Sequence, residues 1–284
     1  MPQSNADLHC HSVYSDGTLQ PEALAERASA NGVALWALTD HDELSGQARA
    51  ADAARDLKLP YLNGVEVSVS FAGETVHIVG LGIDTADTAL NDGLSRTRAG
   101  RQQRALDMAD GLARQGHRGA YAGAMQYASN PALVSRTHFA RWLVERGICS
   151  DNGDVFRRYL TPGKPGYVQH RWASLGEAVK WILSAGGLAV VAHPARYRFT
   201  ATEEFALFSE FKAHGGQAVE VLTAAHGPAD VTRVAELAQE FDLLASRGSD
   251  FHDPKESRID LGLLPHLPPQ LKPVWLALSA RIRH

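Results

Sequence analysis

Short apolar runs alternate with amphipathic stretches along most of the chain. The runs at residues 33–40, 188–194 and 218–224 are almost continuously apolar, which is typical of strands buried on both faces of a parallel sheet. The predicted strands are residues 6–12, 33–40, 61–71, 75–83, 188–194, 218–224 and 243–252. Helices are predicted between them over residues 21–30, 45–57, 174–185, 202–214, 228–240 and 271–282. This alternation predicts an α/β fold with a parallel sheet or barrel, whose site lies at the carboxyl ends of the strands.

Residues 88–160 have almost no strand signal. A long helical pattern opens this stretch, and shorter ones follow, over residues 88–116, 119–129, 136–146 and 151–160. We interpret the stretch as a helical insertion. The predicted domains are therefore a barrel formed by residues 1–90 and 166–284 and an inserted helical subdomain of residues 91–165.

Composition and charge narrow the class of partner. The chain has 284 residues, 44% of them hydrophobic, which is enough to bury a sizeable core. Its formal net charge of −4 argues against a protein that holds long duplex nucleic acid by general electrostatics. Cys10 and Cys149 form no disulfide framework, and the N-terminal residues show no apolar signal-peptide core. No apolar run is long enough to span a membrane, so we expect a cytoplasmic protein with no membrane contact and no obligate protein partner.

Histidine and acidic residues recur where the predicted strands end. In a strand, residues i and i+2 point to the same face, so His9 and His11 can chelate from one side, and so can Asp250 and His252. The candidate metal ligands are His9, His11, Asp16, His41, Glu66, His77, His193, Asp250 and His252. These are too many for one ion and suit two to three, with open positions left for water and substrate. Imidazole and carboxylate together suit Mn²⁺, Fe²⁺ or Zn²⁺.

Each of these motifs is weak by itself. An isolated His-x-His is more often structural than metal-binding. A lone acidic residue at a strand end is usually solvated or caps a helix. It is the agreement of several distant segments, in location and in ligand chemistry, that indicates a metal cluster.

The ordered motifs DLHCHSVYSDG, TDHD, AHP and GSDFH, with Glu66 and His77 among them, resemble those of the PHP (polymerase and histidinol phosphatase) family. The resemblance spans residues 7–252. It implies a distorted (β/α)7 barrel with three metal ions at its mouth.

The resemblance also implies how the ligands divide. One ion is expected at His9, His11, Glu66 and Asp250. Glu66 would bridge to a second ion, held also by His77 and His193. The third would be held by Asp16, His41 and His252. Many members of the family have His at the position of Asp16, and a carboxylate there favours a harder ion. We expect Mn²⁺, with Fe²⁺, Zn²⁺ or Mg²⁺ as alternatives.

Such a cluster predicts hydrolysis of a phosphate ester by a metal-activated hydroxide. The ions also neutralise the charge that develops on the phosphoryl oxygens. The sequence has no Gly-x-Ser-x-Gly nucleophile motif and no Walker loop that would indicate another chemistry. Two residues, His193 and Asp40, are candidates for protonating the leaving group, provided that they are not otherwise engaged. Asp40 is also interpreted, with Asp42, as a residue that orients metal ligands or caps the next helix.

The inserted helices are expected to select the ester. Arg136 and His138 lie at a helix start, where backbone amides favour anions. Lys164 lies in a Pro/Gly loop, and Arg171 comes just before the barrel resumes. With Arg196, which follows the AHP motif, these residues predict a second phosphate pocket that faces the metals.

Several of the polar and aromatic residues have two interpretations. Arg136 and Arg171 are also compatible with surface or capping charges. A further set of arginines is interpreted as a solvated helix face, namely Arg96, Arg98, Arg101 and Arg104. Tyr167 and Trp172 either stack a base or pack the insertion onto the barrel. Glu220 is either a partner of a metal ligand or a satisfied core carboxylate.

The segments SRTHFAR and RYLTPGKPGYV, with AGG before LAVVAHP, resemble the branch of the family that hydrolyses nucleoside 3′,5′-bisphosphates. That resemblance implies removal of the 3′-phosphate from a small nucleotide such as adenosine 3′,5′-bisphosphate, which leaves the 5′-monophosphate. Three alternatives stay open. The protein could be a 5′→3′ exonuclease on short 5′-phosphorylated RNA or DNA, a histidinol-phosphate phosphatase, or a non-catalytic scaffold or sensor.

Overall fold

The computed structural model describes residues 4–284, and its strands form one seven-stranded sheet in chain order. The strands are β1 (Ala6–Asp7), β2 (Leu35–Leu38), β3 (Tyr61–Phe71), β4 (Glu74–Leu81), β5 (Leu188–Val191), β6 (Ala218–Leu222) and β7 (Leu244–Arg247). Every predicted strand is present, although β1 and β7 are much shorter than predicted because their segments continue into loops at one end of the sheet. The first three residues of the predicted segment 1–90 lie outside the described residues.

Among the described strands, β4 alone runs antiparallel to its neighbours, β3 and β5. The predicted strands 61–71 and 75–83 therefore form an antiparallel hairpin. It turns at Ala72 and Gly73, which both have positive φ angles, of 46° and 81°. Because β4 is reversed, its beginning lies beside the carboxyl ends of the other strands. His77, which pairs with Ser68 of β3, thus reaches the same mouth as residues that follow the parallel strands.

The sheet closes into a nearly complete barrel where β1 meets β7. The Leu8 backbone N–H donates to the Arg247 carbonyl at 3.1 Å, and Cys10 and Phe251 form a parallel bridge beyond it. Gly248 is required at this seam, since a Cβ there would lie 2.2 Å from the Cβ of His9 and 2.7 Å from its backbone nitrogen. The prediction of a distorted (β/α)7 barrel is confirmed.

The helices follow the predicted order with two differences. They are α1 (Pro21–Ala30), α2 (Gln47–Asp56), α3 (Thr88–Ala99), α4 (Arg101–Arg114), α5 (Ala120–Met125), α6 (Arg136–Glu145), α7 (Asn152–Val155), α8 (Leu175–Ser184), α9 (Ala201–Ala213), α10 (Pro228–Glu240) and α11 (Val274–Ala277). The long pattern at 88–116 divides at Gly100 into α3 and α4. None of the helices within residues 4–284 has both the length and the apolar character that a membrane crossing requires.

The predicted helix at 271–282 is mostly wrong. Pro273 is itself extended and forms a parallel bridge with Ala245, so α11 begins only at Val274. After a short 3₁₀ turn the chain becomes extended again, because Arg283 pairs with Tyr61 through two backbone hydrogen bonds of 2.9 and 3.0 Å. A strand contact at the end of the chain therefore overrides the helical pattern.

The barrel and the insertion have separate apolar cores. Leu90 and Leu94 of α3 are buried in the barrel core. Ala105 and Met108 of α4 belong to the second core, which continues through α5, α6 and the residues up to Leu160. The predicted boundary at residue 91 therefore falls inside a helix that packs on the barrel, and the independent core of the insertion begins in α4.

Replacing Gly248 with Ala should destabilise the barrel by about 1–3 kcal/mol, because the added Cβ overlaps the Cβ and the backbone of His9, which cannot move aside as the end of a flexible side chain can. Urea or thermal denaturation measures the loss. Gly153→Ala is the control, since among residues 4–284 its Cβ would approach only the Asp151 side chain, at 3.1 Å. Equal stability of the two variants would contradict the requirement for glycine at the seam.

Candidate metal centre

Nine histidine and acidic side chains converge at the barrel mouth. They lie in β3 and β4 and in the loops that follow β1, β2, β5 and β7. They are the nine predicted ligands, His9, His11, Asp16, His41, Glu66, His77, His193, Asp250 and His252. Within each of four overlapping groups, the potential ligand atoms lie within 4.8 Å of one another. The fold thus brings together every side chain that the sequence indicated as a metal ligand.

Glu66 lies at the centre of this cluster and is fully buried. Its Oε1 is 2.8 Å from His77 Nδ1 and 3.0 Å from His193 Nε2. Its Oε2 is 2.8 Å from His41 Nδ1 and 3.3 Å from His11 Nε2. Because its two oxygens face different imidazoles, this carboxylate has the geometry of a bridging ligand.

The four groups of ligands are similar to the predicted division of ligands among three ions, but they differ from it in detail. They are His9, His11 and Asp250; His9, Glu66 and His193; His41, Glu66 and His77; and His11, Asp16, His41 and His252. His77 and His193, which were expected to share an ion, fall into different groups that have Glu66 in common. His11 joins the group formed by Asp16, His41 and His252.

Several ligand atoms in the cluster are buried without a hydrogen bond. Among the described residues, the atoms in this state include Asp16 Oδ1, Glu66 Oε2 and the Nδ1 atoms of His41 and His77. His41 Nδ1 and Glu66 Oε2 are only 2.8 Å apart, but their relative orientation does not form a hydrogen bond. Lone pairs that converge on a common space in this way fit divalent cations.

Charge and protonation in the cluster also suit cations. Burial alone would raise the pKa of Glu66, but His77 and His41 hold it well below the usual range, so the carboxylate is ionised. Burial, together with the positive charge of Arg196, lowers the pKa of His193 to about 3, so this imidazole is neutral. Burial would also lower the pKa of His11, yet Asp250 and Glu66 raise it to about 10. A cation that binds there therefore displaces a proton.

Glu220 orients two of the ligands. His9 Nδ1 lies 2.8 Å from Glu220 Oε1, and the backbone N–H of His193 donates to Glu220 Oε2 at 2.8 Å. His193 has an unusual φ of 29°, which this hydrogen bond helps to hold. With Nδ1 as the donor, the Nε2 lone pair of His9 faces the cluster. Of the two roles considered for Glu220, the structure supports that of a partner to a metal ligand.

Asp40 is engaged and does not face the cavity at the cluster. It accepts hydrogen bonds from the Ser12 N–H at 2.7 Å and from the hydroxyls of Ser12 and Ser15, both at 2.6 Å. The Ser15 oxygen in turn lies 3.4 Å from His11 Nδ1. Asp40 therefore orients His11 through Ser15, and the hypothesis that it protonates the leaving group is not supported.

A cavity of about 100 Å³ opens directly onto the cluster. Its lining includes ligand residues such as His41 and His77 together with the basic side chains Arg101, Arg104, Arg136 and Arg196. The interpretation of Arg101 and Arg104 as a solvated face was wrong, because they are only 5% and 6% exposed. The signal that could have identified them is helical spacing. Both lie on the side of α4 that also carries the buried Ala105 and Met108.

Trp172 and Asp42 hold these arginines in place. The guanidinium carbons of Arg101 and Arg104 lie 4.6 and 5.2 Å from the centre of the Trp172 ring. Arg101 also pairs with the buried carboxylate of Asp42, which accepts from the Ser68 N–H and hydroxyl at 2.8 Å. Trp172 is therefore a platform that packs the insertion on the barrel, which is one of the two roles considered for it.

The other predicted substrate contacts are placed differently. Lys164 and Arg171 are exposed and do not line the cavities at the cluster in the described part of the chain. His138 is fully buried, and its Nδ1 accepts from the Ser135 N–H at 3.0 Å, so it caps α6. Burial lowers the pKa of His138 to about 4, which leaves it neutral. Arg196 is half-exposed at the mouth and donates to Asp250 Oδ2 at 2.7 Å.

Comparison with known proteins places this site in a family. The PHP domain family model matches residues 7–140. The chain is 52% identical to a 3′,5′-nucleoside bisphosphate phosphatase from Chromobacterium violaceum, over 98% of both chains. It is 40% identical to a 5′-3′ exoribonuclease from Haemophilus influenzae, over 95% of this chain and 97% of the relative.

A solved structure shows the same fold over nearly the whole chain. It is described as an amidohydrolase from Chromobacterium violaceum with bound sulfate and no metal, and it matches with a TM-score of 0.96 and 51% identity. The match covers 99% of this chain and 98% of that one. Together with the full-length similarity to phosphate-ester hydrolases, this shows that the chain is an enzyme that belongs to the PHP domain family.

Proposed function

We propose that the enzyme is a metal-dependent phosphoesterase that removes the 3′-phosphate from nucleoside 3′,5′-bisphosphates. The observation that carries the proposal is the cavity lined both by metal-ligand residues and by Arg101, Arg104 and Arg136. A substrate with two phosphates matches this arrangement, since one phosphate can lie at the cluster while the other is bound by arginines. Adenosine 3′,5′-bisphosphate is the proposed substrate, and the 5′-monophosphate is the product.

Arg104 and Arg136 lack the negative partner that such a substrate would supply, whereas Arg101 already pairs with Asp42. Within residues 4–284, Arg104 and Arg136 form no salt bridge and donate only to the carbonyls of Val168 and Leu160, at 3.2 and 3.4 Å. Burial and the charges of Arg136 and Arg101 lower the pKa of Arg104 to about 9. Burial also lowers the pKa of Arg136. Closely spaced and poorly compensated cations disfavour each other, so an anionic phosphate stabilises the pocket.

The two halves of the site have separate tasks. Two to three divalent ions, proposed to be Mn²⁺, would supply a hydroxide nucleophile and neutralise charge on the phosphoryl group. Other residues of the chain orient the metal-ligating side chains and bind the substrate. Glu220 fixes His9 and His193, while Arg136 and Arg104 orient the distal phosphate. A histidinol phosphate would place its ammonium group beside these arginines, which makes it a poorer match.

A second cavity favours exonuclease activity as a further candidate. This groove of about 470 Å³ shares Arg196, Asp250 and His252 with the cavity at the cluster and continues to Arg258 and Asn152. A bisphosphate that ends at the scissile phosphate would leave this groove empty. A short oligonucleotide with a 5′-phosphate in the arginine pocket could extend its remaining nucleotides along it.

Arg136→Ala should lower kcat/KM for adenosine 3′,5′-bisphosphate by about 10- to 100-fold, the loss expected for a charge-assisted contact of about 1.5–3 kcal/mol. Adenosine 3′-monophosphate lacks the distal phosphate and should show little change. Phosphate release with Mn²⁺ measures both. Arg96→Ala is the control, since Arg96 is an exposed arginine of α3 and does not line the cavities at the cluster in the described part of the chain. An equal loss on both substrates would show that Arg136 does not bind the 5′-phosphate.

Glu220→Gln should weaken Mn²⁺ binding by about 10- to 100-fold, because the carboxylate that accepts from His9 Nδ1 is replaced by an amide. Isothermal titration of the metal-free protein measures the affinity directly. The control is Glu236→Gln on α10, outside the cluster. Unchanged affinity in Glu220→Gln would mean that this contact does not set the ligand's orientation.

Arg258→Ala should slow the degradation of a 5′-phosphorylated oligoribonucleotide by about two- to fivefold, the range for one exposed charge pair, and leave adenosine 3′,5′-bisphosphate turnover unchanged. Lys255→Ala tests a nearby exposed cation that does not line the groove. Turnover of the bisphosphate alone, with the oligonucleotide intact in the wild type, would remove the exonuclease candidate.

A further inference from the structure

We infer that Ser135 of the insertion is a positioning residue for the metal centre, because its hydroxyl holds the carboxylate of Asp16. Ser135 Oγ lies 3.1 Å from Asp16 Oδ2. Asp16 belongs to the barrel loop after β1 and is 3% exposed. Its other oxygen, Oδ1, is 3.3 Å from His252 Nε2 and 3.7 Å from His41 Nε2. One oxygen of the carboxylate is thus tied to the insertion, and the other is directed at two predicted ligands.

The free oxygen of Asp16 indicates what this hydrogen bond is for. In the described part of the chain, Asp16 Oδ1 is buried and accepts no hydrogen bond, whereas Oδ2 accepts from Ser135. A carboxylate with one oxygen occupied in this way presents a single oxygen to a cation. Hydrogen bonds from outside a metal site commonly fix the orientation of its ligands in this manner.

The direction of the hydrogen bond follows from the helix cap. Ser135 is the N-cap of α6, and its oxygen accepts from the Thr137 N–H at 3.2 Å. The Ser135 N–H donates to His138 Nδ1 at 3.0 Å, which completes a capping box. Since the oxygen accepts from the backbone, its proton is available for Asp16. His138 therefore serves the metal centre by locking this cap rather than by touching the substrate.

A second residue of α6 supports the same loops. Arg141 is 7% exposed and donates to the Asp16 carbonyl at 2.8 Å. It also pairs with Glu256 at 3.0 Å, in the loop that carries His252. One helix of the insertion therefore contacts both the loop that supplies Asp16 and the loop that supplies His252. Without α6, the ligand group of His11, Asp16, His41 and His252 would lose the contacts that position two of its loops.

Ser135→Gly tests the inference, because Gly serves almost as well as Ser at an N-cap but has no hydroxyl to donate. The inference rests on the proposed metal centre. Mn²⁺ is titrated calorimetrically into metal-free protein, and retained metal is counted by elemental analysis after gel filtration. We expect one equivalent of Mn²⁺ to bind about 10- to 100-fold more weakly in Ser135→Gly, with the remaining equivalents unchanged. Ser135→Thr, which keeps a hydroxyl, should bind as the wild type does.

Ser174→Gly is the matched control, since Ser174 is also an N-cap serine in a capping box, on α8, and contacts none of the predicted ligands. Wild-type affinities in Ser135→Gly would overturn the inference, and so would an equal loss of Mn²⁺ in Ser174→Gly. If the wild type binds no Mn²⁺, the proposed metal centre fails instead. Normal wild-type binding with an unchanged Ser135→Gly would leave the metal centre standing and remove only the role of Ser135.

Discussion

The barrel mouth of this protein holds ionised carboxylates away from water. Glu66 is fully buried and Asp16 nearly so, and such groups are unfavourable in a protein interior unless positive charge lies beside them. The imidazole of His11, whose pKa Asp250 and Glu66 raise to about 10 despite burial, lies 3.3 Å from Glu66 and supplies part of that charge. Divalent cations would supply the remainder. The barrel seam, the hydrogen bonds of Glu220 and the docking of the insertion all keep these groups within a small volume.

The metal ligands could be predicted from sequence because their chemistry recurs at one kind of position. His9, His11, Asp250 and His252 follow strands whose ends meet at one edge, and no detail of packing was needed to infer that they converge. The division of ligands among ions was harder. It depends on which oxygen of Glu66 faces which imidazole, and this is set by tertiary contacts.

The substrate pocket was harder to predict than the metal centre. Lys164 and Arg171 carry suitable charge but stay exposed, whereas Arg101 and Arg104 are buried against Trp172. Charge alone therefore gave a wrong prediction of the basic residues that line the pocket. The helical spacing of Arg101 and Arg104 with buried residues would have identified them. The choice between the two roles considered for Asp40 could not be made from sequence for a related reason, since the two serines that engage it lie in a loop whose conformation has no signature in the sequence.

The reversed strand β4 sets the direction in which the chain enters the insertion. Parallel strands deliver the chain to the mouth, and their helices return it to the opposite end. Because β4 runs the other way, α3 begins near the start of β5, at the end opposite the mouth. There the Asp84 N–H donates to the Ala185 carbonyl, and α3 then runs toward the mouth. Its last turn places Arg98 on the carbonyl of Asp42. Because of this single inverted strand, the insertion begins at the end of the barrel that carries the metal ligands.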